Sequence, residues 1–251
     1  MQFILGANAD IGNARKLQED FIRAVEFGND MLAIVADGTG ATNDYLHPAV
    51  VAANSIINEF QDIINEDKDL FDQDPLFFLR RAMLNANSMI GMLKLADDQL
   101  YSGYAASVSA VYLTEGGKIH FAHAGDTRIY LLRNGVLNQM TEDHTEARRK
   151  QNEGLLLPGD DYYTSDDRLK VTNGIGMVSN PQIDTMEGSL KENDILLMTT
   201  DGVHYALTSD DMKTIILNAE NEIDASEKLI YASKNLVEYP DNMAAIVIGV
   251  R

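Results

Sequence analysis

Three apolar runs end in an acid beside glycine: Ile34 to Ala36 before Asp37-Gly38, Phe121 to Ala124 before Gly125-Asp126, and Leu196 to Thr199 before Thr200-Asp201-Gly202. A fourth acid, Asp241, stands with Asn242 directly ahead of the last apolar run. A single Asp-Gly is ordinarily a turn, because aspartate bonds its own backbone and glycine accepts positive φ. Acids at strand ends along one edge of a sheet converge, however, and carboxylates a few ångströms apart repel strongly unless a cation sits among them. Hard oxygen donors suit Mg2+ or Mn2+, and a glycine after the acid lets a backbone carbonyl approach the ion as a further ligand.

Competing chemistries find less support. There is no cysteine, which removes disulfides, thiolate nucleophiles and Cys-ligated zinc. The histidines, His47, His120, His123, His144 and His204, form no close zinc-ligand pair. His120 and His123 fall three apart on a strand, hence on opposite faces, and read as structural. The excess of 39 Asp+Glu over 20 Lys+Arg, a formal charge of -19, repels phosphate backbones and anionic lipid, so neither nucleic acid nor a membrane surface is an expected partner. The N-terminus has no basic segment ahead of its short apolar stretch, and no apolar run approaches the roughly 18 residues of a spanning helix. A cytoplasmic protein is expected.

The elements that must position the acids follow from periodicity. Phe3 to Leu5, Phe21 to Phe27 and Met31 to Ala36 read as strands. From Pro48 to Ile64 apolar residues recur at three and four, with proline suited to the first turn, which predicts an amphipathic helix. A second helix begins at Pro75 behind an Asp74 cap, with Leu76, Leu79, Met83, Ala86, Ile90 and Leu93 on one face. Ala105 to Leu113, Lys118 to Ala124, Arg128 to Arg133 and Val136 to Met140 are strands joined by connections so short that neighbours must be antiparallel. Residues 144 to 182 read as a short helix plus loops, because Pro158-Gly159-Asp160-Asp161 and Ser165-Asp166-Asp167 break any period. After a strand at Ile195 to Thr199, Ser209 can cap a helix through Leu217, and Asp224 with Glu227 forms a capping box for the next. Met243 to Val250 closes the chain as a strand. Helix pairs alternating with antiparallel strands predict an α+β fold with helices covering sheet faces. A chain of 251 residues, 45% hydrophobic, with no composition break, is expected to form a single domain, 1–251.

The order and spacing of six stretches add a resemblance. They are Arg15-Lys16-Leu17-Gln18-Glu19-Asp20, Val35 to Gly40, Ala124 to Leu131, Leu137 to His144, Thr200-Asp201-Gly202 and Asp241-Asn242, spanning nearly the whole chain. In these the chain resembles the metal-dependent protein phosphatases of type 2C, especially the compact bacterial members. The resemblance implies a four-layer αββα sandwich, two antiparallel sheets flanked by antiparallel helix pairs. It implies that Asp37 bridges two metal ions with the Gly38 carbonyl on the second, that Asp201 and Asp241 bind the first, and that Glu19 holds a water on the second. Asp126, with Asp201, matches a weaker third position. Arg15 matches the residue that binds the substrate phosphate, where a guanidinium fork suits two oxygens. Asp20 matches the motif and is given a supporting role.

The implied reaction is hydrolysis of phosphoserine and phosphothreonine in proteins by a water that Mn2+ or Mg2+ activates. The implied partner is a phosphoprotein, with a serine/threonine kinase acting in opposition and the phosphatase working as a monomer. Three departures stand out. No histidine follows Asp37-Gly38 closely, His47 being the nearest; Ala105 occupies an expected threonine; and the flap-like segment around 144–182 is short. The alternative function is a noncatalytic family member, a pseudophosphatase, that binds a phosphoprotein. A glycosidase-like carboxylate pair is a further reading that no feature singles out.

Overall fold

In the computed structural model, which describes residues 1–41, 46–156 and 166–251, two five-stranded antiparallel sheets pack face to face. The first sheet has the order β1 (Phe3–Asp10), β10 (Met243–Val250), β9 (Ile195–Thr199), β6 (Arg128–Arg133) and β7 (Val136–Gln139). The second has β2 (Asp20–Phe27), β3 (Asp30–Thr39), β4 (Ala105–Leu113), β5 (Lys118–Ala124) and β8 (Asp184–Ser189). Helices α1 (Pro48–Gln73) and α2 (Pro75–Ala96) lie on the second sheet, and α6 (Ser209–Leu217) and α7 (Glu222–Leu236) on the first. Short helices α3 (Asp98–Tyr101), α4 (Glu146–Asn152) and α5 (Asp201–His204) complete the set among the described residues. This is the four-layer αββα arrangement.

Alternation along the central strands produces the layers. In β3, Leu32, Ile34 and Ala36 meet the α1/α2 face, whereas Met31, Ala33 and Val35 meet the opposite sheet. In β10, Ile246 and Ile248 point between the sheets while Met243, Ala245 and Val247 pack beneath α6 and α7. Strands buried on both faces read as continuous apolar runs, which is why these were legible.

Several boundaries differ from the sequence expectation. β1 extends to Asp10 because its ladder with β10 continues past the apolar residues, ending at Asp10↔Met243. α1 continues to Gln73 across a non-helical Asp67. Thr208, not Ser209, caps α6, in a capping box with Asp211. The expected Asp224/Glu227 box is replaced by Asn221, three residues before Asp224, whose side chain accepts from the Asp224 N–H. β8 had no apolar signal; its mostly exposed residues join the sheet through the ladder to β5. The expected short helix in 144–182 is α4, joined by a 3-10 turn at Asp166–Leu169. Pro158 to Asp161 and Ser165 lie outside the described residues. No helix among the described residues is long and apolar enough to cross a membrane.

Candidate active site

At one edge of the sandwich the starts of β2 and β4, the end of β3 and the turns after β5, after β9 and before β10 surround a cavity of about 480 Å³. Glu19, Asp20, Asp37, Asp126, Asp201 and Asp241 all line it, as do Arg15 and Gly38. Every residue that the sequence singled out for the site is therefore in one place. The segment bearing Lys170, Val171, Gly174 and Met177 forms a further wall. His47, the nearest histidine to Asp37-Gly38, is the N-cap position of α1 and is absent from the described lining.

The backbone places the acids tightly. Asp20 and Asp37 sit directly opposite each other in the β2–β3 ladder, a position where like charges destabilise. The Gly38 N–H donates to the Glu19 carbonyl at 3.1 Å, and a Cβ on Gly38 would fall 2.8 Å from that same oxygen, so the position accommodates only glycine. Asn242 links the two ends of the chain: its Oδ1 accepts from the Glu19 N–H at 2.8 Å and its Nδ2 donates to the Ile11 carbonyl at 2.9 Å. Glu19 Oε1 accepts from the Ala41 N–H at 2.8 Å. Asp126, almost fully buried, accepts from Ser107 Oγ at 2.7 Å. Arg15 donates Nε to Asp241 Oδ1 at 2.8 Å and Nη2 to Oδ2 at 3.0 Å. Its fork is thus turned onto a neighbouring acid of the cavity.

Crowding of carboxylates shows in their proton affinities. Burial, with Asp201 and the other acids adding to it, raises Asp37 well above the ordinary carboxylate range. Burial and then Asp126 do the same to Asp201. Burial pushes Asp126 up to about 6 against the Ser107 hydrogen bond. Asp20 rises to about 7, again through burial, although Thr200 Oγ1 donates to it at 2.6 Å. An anionic cluster that holds protons this strongly presents a set of hard oxygen donors short of positive charge.

Sequence reasoning undervalued Asp20, whose place opposite Asp37 appears only once the β2–β3 register is known. It missed Ser107, a small hydroxyl residue with no local signal that orients Asp126, and gave no role to Thr200, named only within the Thr200-Asp201-Gly202 stretch, which donates to Asp20. His120 and His123 do lie on opposite faces. His123 is buried between Ser109 Oγ at 2.9 Å and the Glu142 carbonyl at 3.1 Å, a structural setting.

Divalent cations fit the donor set: oxygen ligands, net negative charge and a glycine whose backbone is open to the cavity. Among the described residues no three His, Asp or Glu side chains are gathered as they stand around a single ion position.

Comparison with known proteins gives the family and the fold. The family model described as protein phosphatase 2C matches residues 13–238. A protein of Streptococcus pyogenes described as protein phosphatase 2C-type is 25% identical over 245 residues, covering 97% of this chain and 96% of that one. The solved serine/threonine phosphatase of S. agalactiae is 26% identical, with a TM-score of 0.82 over 99% of this chain and 100% of that one. The catalytic domain of the serine threonine protein phosphatase PstP, solved with 2 manganese ions, shares the fold at a TM-score of 0.78, 24% identity and 99% coverage of both chains.

Proposed function

The chain belongs to the protein phosphatase 2C family, and on that premise we propose that it hydrolyses phosphoserine and phosphothreonine in proteins with the help of Mn2+ or Mg2+. The observation that carries the reading is the convergence of six carboxylates and Arg15 on one cavity. A phosphate dianion entering that cavity meets repulsion from every acid unless cations intervene, so the site makes chemical sense as a phosphate site only with metal. When bound, the ions supply a water acidified toward a pKa of about 7 and neutralise phosphoryl charge. Asp37, the Gly38 carbonyl, Asp201 and Asp241 would hold the two core ions, with Glu19 orienting a water. Asp126 would serve a weaker third position with Asp201. Arg15 would exchange its Asp241 partner for two phosphate oxygens, a fork-to-fork contact of the same shape.

Residues 1–251 act in this reading as one catalytic domain, a monomer in the cytoplasm, reversing the work of a serine/threonine kinase on phosphoprotein substrates. No observation favours the noncatalytic alternative, since all the expected acids are retained in one cavity. Phosphate release from matched phosphoserine, phosphothreonine and phosphotyrosine peptides tests the substrate class. Turnover of the first two with little of the third supports it; preference for phosphotyrosine, or no turnover of any with Mn2+ present, refutes it.

A further inference from the structure

The stretch Leu137 to His144 carries part of the family resemblance, yet the proposed reaction uses none of it. Asp143 is explained by a buried two-point ion pair with Arg128, Nε to Oδ1 at 2.8 Å and Nη2 to Oδ2 at 2.6 Å. His144 is not a partner of any charge in the cavity. Its side chain is 9% exposed and lies where three pieces of chain meet: the turn Gly125-Asp126, the cavity wall at 171–177, and the start of β8.

The contacts at that junction are specific. The His144 N–H donates to the Gly125 carbonyl at 2.7 Å, and the Gly125 N–H donates back to His144 Nδ1 at 3.1 Å. One residue therefore holds both polar groups of Gly125. That glycine has a φ of 116°, and a Cβ on it would fall 2.3 Å from Ser107 Oγ. The turn delivers the next residue, Asp126, to the Ser107 hydroxyl inside the cavity. Because Nδ1 faces an N–H, it carries the lone pair, and the ring proton resides on Nε2. Asn173 Nδ2, 2.7 Å from Nδ1, is also a donor and agrees with this tautomer. Nε2 then donates to Asp184 Oδ2 at 3.0 Å. The His144 carbonyl accepts from the Thr172 N–H at 2.8 Å and from Thr172 Oγ1 at 3.0 Å, which fastens the wall to the same residue.

We propose that His144 is a positioning residue for Asp126, clamping Gly125 so that the carboxylate is presented to the cation position, with Asp184 fixing the ring and Thr172 tying the clamp to the cavity wall. The proposal rests on the assignment of Asp126 to a cation in the proposed function. Outer-shell partners of this kind ordinarily alter metal affinity by about 10- to 100-fold when removed.

Two substitutions separate the roles of the ring nitrogens. Asparagine presents an oxygen near the place of Nδ1 and can still accept from Gly125; glutamine reaches toward Asp184 and cannot. In His144→Asn, hydrogen exchange at the Gly125 amide should stay protected, and the Mn2+ concentration for half-maximal phosphopeptide turnover should stay within about twofold of wild type. In His144→Gln, Gly125 should lose protection and the Mn2+ requirement should rise about tenfold, with kcat at saturating Mn2+ little changed. Equal behaviour of the two variants, or lost Gly125 protection with an unchanged Mn2+ requirement, overturns the proposal. Should either variant fail to fold, Asp184→Ala leaves the ring in place but frees it to take the Nδ1–H tautomer, which, unlike asparagine, cannot accept from Gly125; it should raise the Mn2+ requirement in the same direction, and an unchanged requirement there overturns the proposal too. A wild-type protein without Mn2+-dependent turnover would instead refute the proposed function, while the Gly125 exchange pattern would still decide whether the clamp exists.

Discussion

Arg15 grips Asp241 through both carboxylate oxygens, joining residues 226 positions apart at the rim of an anionic cavity. Asp241 is also an expected ligand of the first ion, so guanidinium and cation make competing demands on one carboxylate. Both side chains are well exposed, 56% and 37%, which limits what the pair contributes to stability to about 1 kcal/mol or less.

Arg15→Ala should therefore lower kcat/KM for a phosphopeptide by about 10- to 100-fold, the loss of a charge-assisted two-point contact. Its unfolding free energy should change by less than about 1 kcal/mol, and calorimetric Mn2+ affinity should hold or rise as Asp241 is released. Steady-state kinetics beside urea unfolding and calorimetry checks this. A stability loss matching the kinetic loss would make Arg15 a structural residue.

Asp20 predicts a pH effect. Its carboxyl titrates near 3.8 when exposed and near 7 in the fold, so between those values the native state keeps a proton that the unfolded chain has released. Its contribution to stability is full below the lower value and is lost as pH rises through the higher one. In EDTA, wild type should lose stability relative to Asp20→Asn between about pH 5 and about pH 8, by on the order of a few kcal/mol. The comparison with the variant matters because His123, pushed down to about 4 by burial, acts in the opposite sense below its unfolded value of 6.5. Urea unfolding at the two pH values measures it; parallel curves would contradict the buried, proton-holding Asp20.

Periodicity and ladder logic explain what could be read in advance. α1, α2, β3, β4 and β10 were legible because their apolar residues recur at helical spacing or run unbroken through a doubly covered sheet. Asp37, Asp126, Asp201 and Asp241 were legible because acids beside glycine or asparagine at strand ends are an unusual repeated pattern. The importance of Asp20 was not, since it depends on the residue across the ladder. Nor was the Arg15–Asp241 pair, which joins the two ends of the chain. β8 escaped because an exposed edge strand needs no apolar alternation, and its Asp184 gains a role only beside His144.

The Arg128–Asp143 pair lies beneath the cavity, with both side chains at most 5% exposed. Removing one member leaves an uncompensated buried charge, so Asp143→Ala should cost about 3–5 kcal/mol. Chemical denaturation checks this, and a change below about 1 kcal/mol would mean that water reaches the pair.

The central claim is that the carboxylate cavity works through divalent cations, and phosphate release as Mn2+ is returned to EDTA-stripped protein tests it most directly. Wild type should rise from no turnover to saturation. Asp201→Asn should remain inactive at every Mn2+ concentration, because it removes a proposed ligand of the first ion. Asp126→Asn should recover at higher Mn2+, since the proposal gives it only the third position and its removal relieves repulsion among its neighbours. Full wild-type turnover in EDTA, or normal turnover by Asp201→Asn, would contradict the account.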